Sequence, residues 1–260
     1  MTRTSVITGS ASGIGMATKH LLESRGERVI GVDLHGADIT VDLTTADGRA
    51  AMVDGVRRLT GGAVDAVYAV AGLAQPVPAT VAVNFFGAVA TLEGLRPFLV
   101  ASAAPRAVVV SSMAALHPVD NQLVAALRAG DEVAALSRAE VMAKEPESLG
   151  QLIYSSSKKA VSQWVRRLAP GADWAGASIA LNAVGPGIIA TPMTADMIAT
   201  EEKKAALLEL VPMPLNGVAE AQTVARLLAW LGGVENTHLC GQVIYIDGGS
   251  DAVIRGDSVW

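Results

Sequence analysis

The feature that most constrains this chain is its alternation of short, unbroken apolar runs with longer stretches of helical period. Runs at 4–8, 28–33, 65–70, 106–111, 178–184 and 242–246 are apolar or β-branched almost throughout, as strands buried on both faces must be. Between them, 15–24, 81–100, 155–168 and 219–231 space their apolar residues at three and four, the period of a helix with one buried face. Gly26 and the pair Gly232 and Gly233 stand where helices should stop. A shorter run at 37–41 raises the strand count to seven. The fold class expected is therefore α/β: a doubly wound, Rossmann-type sheet of about seven parallel strands, with right-handed crossovers and helices on both faces. For 260 residues of which 51% are hydrophobic and 17% charged, one domain over 1–260 is the expectation.

Two segments break the rhythm. Between 114 and 150 no strand pattern occurs, and helical patterns at 119–129 and 131–144 meet at Gly130, with Asp131 as a natural N-cap. A helical hairpin inserted before the helix at 155–168 is expected. Between 188 and 217, Pro192, Pro212 and Pro214 flank a short helical stretch carrying Met193, Met197 and Leu207, the composition of a lid over the carboxyl edge of a sheet.

Composition narrows the function. A net charge of -5 without basic runs offers no surface for a phosphate backbone, so nucleic acid is not an expected partner. Cys240 is the only cysteine, which excludes an intramolecular disulfide and a cysteine-rich metal site; no metal is expected, and a reducing cytoplasm is the simplest compartment. A strand pattern begins at once, without a signal-like segment, and no run of about 18 apolar residues predicts a membrane span.

The first strand runs directly into Thr8, Gly9, Ser10, Ala11, Ser12, Gly13, Ile14 and Gly15, after which a helix begins. Glycines let backbone approach a pyrophosphate, and the new helix offers free N–H groups and a positive dipole end; Gly9, Ser12, Gly13, Ile14 and Gly15 are the candidates. Asp33 closes the second strand, 18 residues after Gly15, with Leu34 next to it. A carboxylate there accepts both adenosine ribose hydroxyls and repels the extra phosphate of NADP. Near it, His35 is a poor phosphate receptor, so NAD is the expected cofactor.

Tyr154 and Lys158 lie four residues apart, hence on one helix face. An ammonium about 4 Å from the phenol would interact by roughly 4 kcal/mol at an effective dielectric of about 20, enough to lower the phenol's pKa by as much as about 3. Tyr154 would then serve as an acid/base near neutrality. Ser112, with Ser111 the more packed of the two, ends the strand preceding the insertion, where a hydroxyl reaches the sheet's carboxyl edge and can hold a substrate oxygen. Asn84 can bend its long helix and link through a water to Lys158.

These residues, in order over nearly the whole chain, resemble the short-chain dehydrogenases/reductases, as do the Pro186 to Thr191 turn and the Ile246, Asp247, Gly248, Gly249 ending. The resemblance implies that Ser112 polarises a carbonyl, that Tyr154 transfers the proton, that Lys158 holds the nicotinamide ribose, and that Asn84 completes a relay. It further implies that Asp42 and Leu43 meet the adenine, that Ala71 and Gly72 line the cofactor turn, and that Pro186, Gly187, Ile189 and Thr191 meet the nicotinamide end. The family usually has Asn, Asn, Ala, Gly after the fourth strand, where this chain has Ala69, Val70, Ala71, Gly72, and so loses bracing amides. Ser112 and Tyr154 are 42 positions apart, against about a dozen in most relatives. That insertion, the tail from Asp251 and the stretch from Asp42 resemble the family's bacterial NAD-dependent hydroxysteroid dehydrogenase branch, which implies 3-hydroxy and 3-oxo steroids or similar small apolar carbonyls and alcohols as substrates.

Ser112, Met113, Pro186, Met193 and Met197 are the candidate substrate contacts, with core packing an equal reading for each Met. A smaller alicyclic or aromatic alcohol is the alternative substrate. A regulator that has lost catalysis is opposed by the intact Ser112, Tyr154, Lys158 and Asn84. Acyl reduction on a carrier protein would want NADP and a basic docking face. The apolar surplus on helices 81–100 and 155–168 predicts a homo-oligomer, a dimer ahead of a tetramer.

Overall fold

The structure is a computed structural model that describes residues 2–145 and 149–259. Its sheet has seven parallel strands in the order β3-β2-β1-β4-β5-β6-β9. The long members are β1 (Thr4–Thr8), β2 (Arg28–Asp33), β4 (Ala66–Ala69), β5 (Arg106–Val110), β6 (Ala180–Pro186) and β9 (Val243–Ile246), with the short β3 (Ile39–Thr40) at one edge. Successive residues of a strand point to opposite faces, and both faces are covered. Val6, Val67 and Val109 enter one core with helices α2 (Ala46–Thr60), α4 (Ala88–Leu99) and α7 (Gln151–Leu168). Their neighbours Ile7, Tyr68 and Val108 enter the other with α1 (Gly13–Ser24) and α9 (Ala221–Leu231). This two-sided burial explains why the strands read as continuous apolar runs.

From β1 the chain winds one way to β2 and β3, then returns past β1 to β4 and onward. Connections leave the β1 and β4 ends in opposite directions, which opens a crevice above the carboxyl ends of these strands. Thr8 Oγ1 accepts from Val70 N (3.1 Å) and Ala71 N (3.2 Å), so the first strand itself holds the β4 turn where the family amides are missing.

The long central helix differs from a uniform 81–100 helix. It opens as α3 (Pro78–Val81), with Pro78 in its first turn, passes through a π-helical segment at Ala82–Gly87 centred on Asn84, and continues as α4. By length and a mean hydropathy of 1.2 the run Pro78–Leu99 could cross a membrane. Instead Leu92, Leu95 and Leu99 are fully buried against the sheet, as in a core helix.

The inserted segment forms α5 (Asn121–Ala129) and α6 (Glu132–Ala143). Gly130 takes the left-handed conformation (φ 74°) between them, and Asp131 caps α6 by accepting from Ala134 N. Positions 146–148 of the expected 114–150 insertion lie outside the described residues. The hairpin packs on α7, α3 and the π segment, and Leu123, Leu127, Ala135, Ala139 and Met142 join the first core. The apolar surplus read from helices 81–100 and 155–168 is thus largely covered within the chain.

Between 188 and 217 lie β7 (Ile189–Ala190), a 3-10 turn and the exposed helix α8 (Glu201–Leu210). β7 pairs with β8 (Ala219–Glu220) in a second small sheet too short to register as a sequence pattern. The chain closes with α10 (Ser250–Arg255).

Because Leu127 is fully buried where α5 meets the core, Leu127→Ala should lower the unfolding free energy by about 2–5 kcal/mol in urea titration. A loss of under about 0.5 kcal/mol, typical of a surface site, would show that the hairpin does not share the core.

Candidate active site

A crevice of about 310 Å³ opens beyond the carboxyl ends of β1 and β4, where the connections that follow these paired strands part. Its floor is the turn from β1 into α1, with Gly9, Ser12, Gly13, Ile14 and Gly15. A Cβ on Gly9 (φ 71°) would sit 2.9 Å from Ala71 Cα, and one on Gly15 would sit 2.0 Å from the Gly9 carbonyl oxygen. Side chains are therefore excluded where the turn meets β4 and where α1 starts. No side chain caps the α1 N-terminus, and its first turn holds no acid, which leaves its N–H groups and dipole for an anion.

At one end of the crevice Asp33 and Leu34 leave β2, with Asp42 and Leu43 beyond. Asp33 Oδ2 accepts from Ala11 N (2.9 Å) and Oδ1 from Leu34 N (2.7 Å), so the carboxylate is fixed against the glycine turn. Ala71 and Gly72 line the middle. Ser112, Tyr154 and Lys158 line the opposite end with Pro186, Gly187, Ile189, Thr191 and Met193. Candidates from Gly9 to Met193, far apart in sequence, thus share one cavity. The lining also includes Thr44, Leu73, Pro192 and Thr194, which sequence reasoning missed. Thr194 had a readable signal, since it stands three residues after Thr191: its Oγ1 accepts from Thr191 N (3.2 Å) and donates to Ile189 O (2.5 Å), folding that turn.

Three candidates lie elsewhere. Met113 is 3% exposed and packs with Ile188, Val211 and Met213 in a separate apolar cluster, so it is a core residue beneath the site. Met197 is 50% exposed in the 3-10 turn and is absent from the lining. Asn84 is 1% exposed and also outside the lining. Its amide accepts from Leu73 N (2.8 Å) and donates to Leu73 O (2.9 Å) and Ser157 Oγ (3.1 Å). Asn84 therefore clamps the turn after β4 to α7 and replaces bracing that Ala69 and Val70 cannot give. A Cβ on Gly72 would lie 3.0 Å from Asn84 Oδ1 and 3.5 Å from Lys158 Nζ, so the two groups flank that glycine.

The electrostatics of Tyr154 and Lys158 differ from the simple pair drawn from their spacing. Lys158 Nζ donates to Val110 O (2.9 Å) and lies 5.7 Å from the Tyr154 ring centroid. Burial raises the phenol above its ordinary pKa, against a smaller opposite pull from the Ser112 hydroxyl. Burial also brings the Lys158 ammonium down to about 8. Each group is thus governed first by desolvation. Ser111 is packed: its hydroxyl donates to Lys158 O (3.0 Å) and meets Ser162 Oγ at 2.7 Å, although it too borders the crevice.

Residues 3–126 match the family model described as short chain dehydrogenase, and residues 135–251 match one described as Enoyl-(Acyl carrier protein) reductase. The 3-alpha-hydroxysteroid dehydrogenase/carbonyl reductase of Comamonas testosteroni is 34% identical over 96% of this chain and 97% of its own length. The chain belongs to the short-chain dehydrogenase/reductase family. Its fold superimposes with a TM-score of 0.88 on the 3-alpha-hydroxysteroid dehydrogenase of a Pseudomonas species complexed with NADH, at 38% identity and covering 98% of this chain and 99% of that one. A more distant relative, the cis-4-hydroxycyclohexanecarboxylate dehydrogenase of Sinomonas cyclohexanicum, is 27% identical over 96% of this chain and 97% of its own.

As a short-chain dehydrogenase/reductase the chain is an oxidoreductase acting between alcohols and carbonyls with a nicotinamide dinucleotide. The crevice fits that cofactor: the cradle at Gly9 and Gly15 would be filled by any Cβ, and an uncapped helix N-terminus faces it.

Lys158 imposes a measurable cost. Between pH about 8 and 10.5 the unfolded chain holds a proton that the folded chain has released, so stability should rise with pH across that window. Below it, burial of the charge costs up to about 3 kcal/mol. In urea titrations Lys158→Met should be more stable than wild type at pH 7, and the gap should close by pH 10.5. A gap that stays constant with pH would contradict this assignment.

Proposed function

We propose that this chain is an NAD-preferring dehydrogenase/reductase of 3-hydroxy and 3-oxo steroids or similarly apolar cyclic ketones, with Tyr154 as its acid/base. The observation that carries the reading is the convergence of Ser112, Tyr154 and Lys158 at one end of a crevice whose other end carries the Asp33 carboxylate.

The chemistry follows from the residues themselves. When bound, the nicotinamide supplies the hydride or accepts it. Ser112 donates a hydrogen bond to the substrate oxygen, where negative charge develops. Tyr154, kept protonated at neutral pH by its raised pKa, stands ready to deliver the phenolic proton to that oxygen during carbonyl reduction. Alcohol oxidation runs the proton the other way and needs the phenolate, so it is favoured as pH rises. Lys158, largely charged below about pH 8, favours that phenolate and presents its remaining protons to ribose hydroxyls. Asn84 acts through Leu73 and Ser157 as a positioning residue.

Two observations support NAD over NADP. Asp33 lies at the ribose end, and among the described residues lining the crevice only Lys158, at the far end, carries positive charge. The Pseudomonas relative, moreover, is in complex with NADH. An apolar substrate is supported by Pro186, Pro192, Met193 and Leu73 around the reacting end. The steroid reading is supported by the likeness to the 3-alpha-hydroxysteroid dehydrogenases of Comamonas testosteroni and the Pseudomonas species. A small alicyclic alcohol is the second reading, favoured by the Sinomonas relative; a carboxylate on such a substrate would find no free arginine in the lining.

The test is NADH absorbance with a panel of 3-oxo steroids, cyclic ketones and aromatic aldehydes. Tyr154→Phe should bind NADH normally and lose turnover by about 10² to 10⁴; equal turnover in the variant would remove the acid/base assignment. Separately, Asp33→Ala should narrow the preference for NADH over NADPH, and an unchanged ratio of kcat/KM would count against ribose recognition by Asp33.

A further inference from the structure

Ser112 and Tyr154 can act together only if the turn after β5 and the first turn of α7 keep their separation, since misplacement of reacting groups by about 1 Å can cost 10²-fold in rate. Yet Tyr154 stands near the start of α7, just after π-helical residues 149–150, with Gly150 itself in the right-handed helical conformation (φ -59°, ψ -35°), so a change of helical winding falls directly before it. No side chain caps this helix.

Three successive buried serines after Tyr154 hold it from the side. Ser157 Oγ accepts from Asn84 and donates to Tyr154 O (2.7 Å). Ser155 Oγ donates to Pro118 O (2.7 Å), and Asp120 N donates to Ser156 Oγ (2.9 Å). Pro118 and Asp120 belong to the segment that starts at Ser112 and leads into the inserted hairpin, so these bonds join the Ser112 turn to the Tyr154 turn.

Asp120 is itself held. Its Oδ1 caps α5 by accepting from Leu123 N (2.7 Å), and its carboxylate receives Arg138 Nε (3.1 Å) and Nη2 (2.5 Å) from α6. Arg138 holds that carboxylate below its usual range. At its other end α6 is anchored to α2, where Arg49 Nη2 donates to both Glu132 oxygens (2.8 and 2.9 Å). A continuous path thus runs from α2 through α6, Arg138, Asp120 and Ser156 to the turn carrying Tyr154. No described residue of α5 or α6 lines the crevice.

We infer that the ion pair between Asp120 and Arg138 is a positioning device for the reaction, through which the inserted hairpin holds the Tyr154 turn beside Ser112. The inference rests on the dehydrogenase reading above. Asp120 and Arg138 are positioning residues: neither borders the crevice, and their effect passes through backbone.

The experiment uses the full chain, with Asp120→Asn, Arg138→Gln and the double variant. Asn retains N-capping, so Asp120→Asn isolates the ion pair from the cap. NADH oxidation is followed with whichever 3-oxo steroid or cyclic ketone the wild type turns over best. Amide hydrogen exchange is measured at 155–158, whose N–H groups bond the carbonyls of 151–154. Each single variant should lose about 10-fold to 100-fold in kcat with both KM values within about twofold. The double variant should be no worse than the weaker single one, as for two ends of one interaction. Arg138→Lys should recover part of kcat, and exchange at 155–158 should quicken in all the variants.

Wild-type kcat in a folded variant, a loss confined to KM, or unchanged exchange would each overturn the inference. Where a charge variant fails to fold, Ser156→Ala removes only the hydroxyl that receives Asp120 N, and it must show the same loss in kcat; wild-type kcat there is equally decisive against the proposal. Tyr154→Phe in parallel separates the two levels. Full turnover in it defeats the dehydrogenase reading, whereas lost turnover beside a normal Arg138→Gln defeats only the role of the ion pair.

Discussion

Everything in this molecule depends on the reversal of winding at β1. Strands added on one side run to β3 and those on the other to β9, so the connections after β1 and β4 part and leave backbone facing a shared gap. The approach of that backbone is so close that Gly9 has no room for a side chain against Ala71, nor Gly15 against Gly9. Thr8 and Asn84 then fix the β4 turn from two sides, by hydrogen bonds to Val70, Ala71 and Leu73. A gap held in this way offers backbone donors at one end of a cofactor and leaves the far end to side chains from β5, α7 and the β6 turn.

Those side chains are expensive to keep where they are. Lys158 is nearly fully buried and is satisfied in part by a single backbone carbonyl, Val110 O. Asn84, Ser111, Ser155, Ser156 and Ser157 add a buried polar layer around it. Such groups are tolerable only when their hydrogen bonds are made, and here each of them has a partner in the fold. The inserted hairpin offsets part of this cost by extending the first core over α7.

Much of the fold was legible because parallel strands buried on both faces leave uninterrupted apolar runs, and because glycine is the one residue that the β1 turn admits. The residues converging on the crevice were legible for a related reason: Tyr154 and Lys158 share a helix face, Asp33 ends β2, and Ser112 follows two residues after the end of β5. What escaped was whatever depends on side-chain direction or desolvation. Met113 follows Ser112 and yet turns into a core with Ile188 and Met213. The ammonium of Lys158 is drawn to Val110 O, and the phenol's pKa is raised by burial, with the Ser112 hydroxyl as the opposing pull. The π turn at Asn84 and the two-residue strands β7 and β8 fall below the length at which any periodicity can be read. The hairpin was visible as helices, but its grip on Ser155 and Ser156 needed coordinates.

The central claim is that one crevice brings the phenol of Tyr154 and the hydroxyl of Ser112 to the nicotinamide of a cofactor whose adenosine lies on Asp33. A crystal structure of the complex with NADH tests it most directly. The account predicts adenosine ribose oxygens on the Asp33 carboxylate, pyrophosphate over the N-terminus of α1, and the nicotinamide ring beside Tyr154 and Ser112. Density showing the nicotinamide away from that pair, or the adenosine away from Asp33, would contradict it.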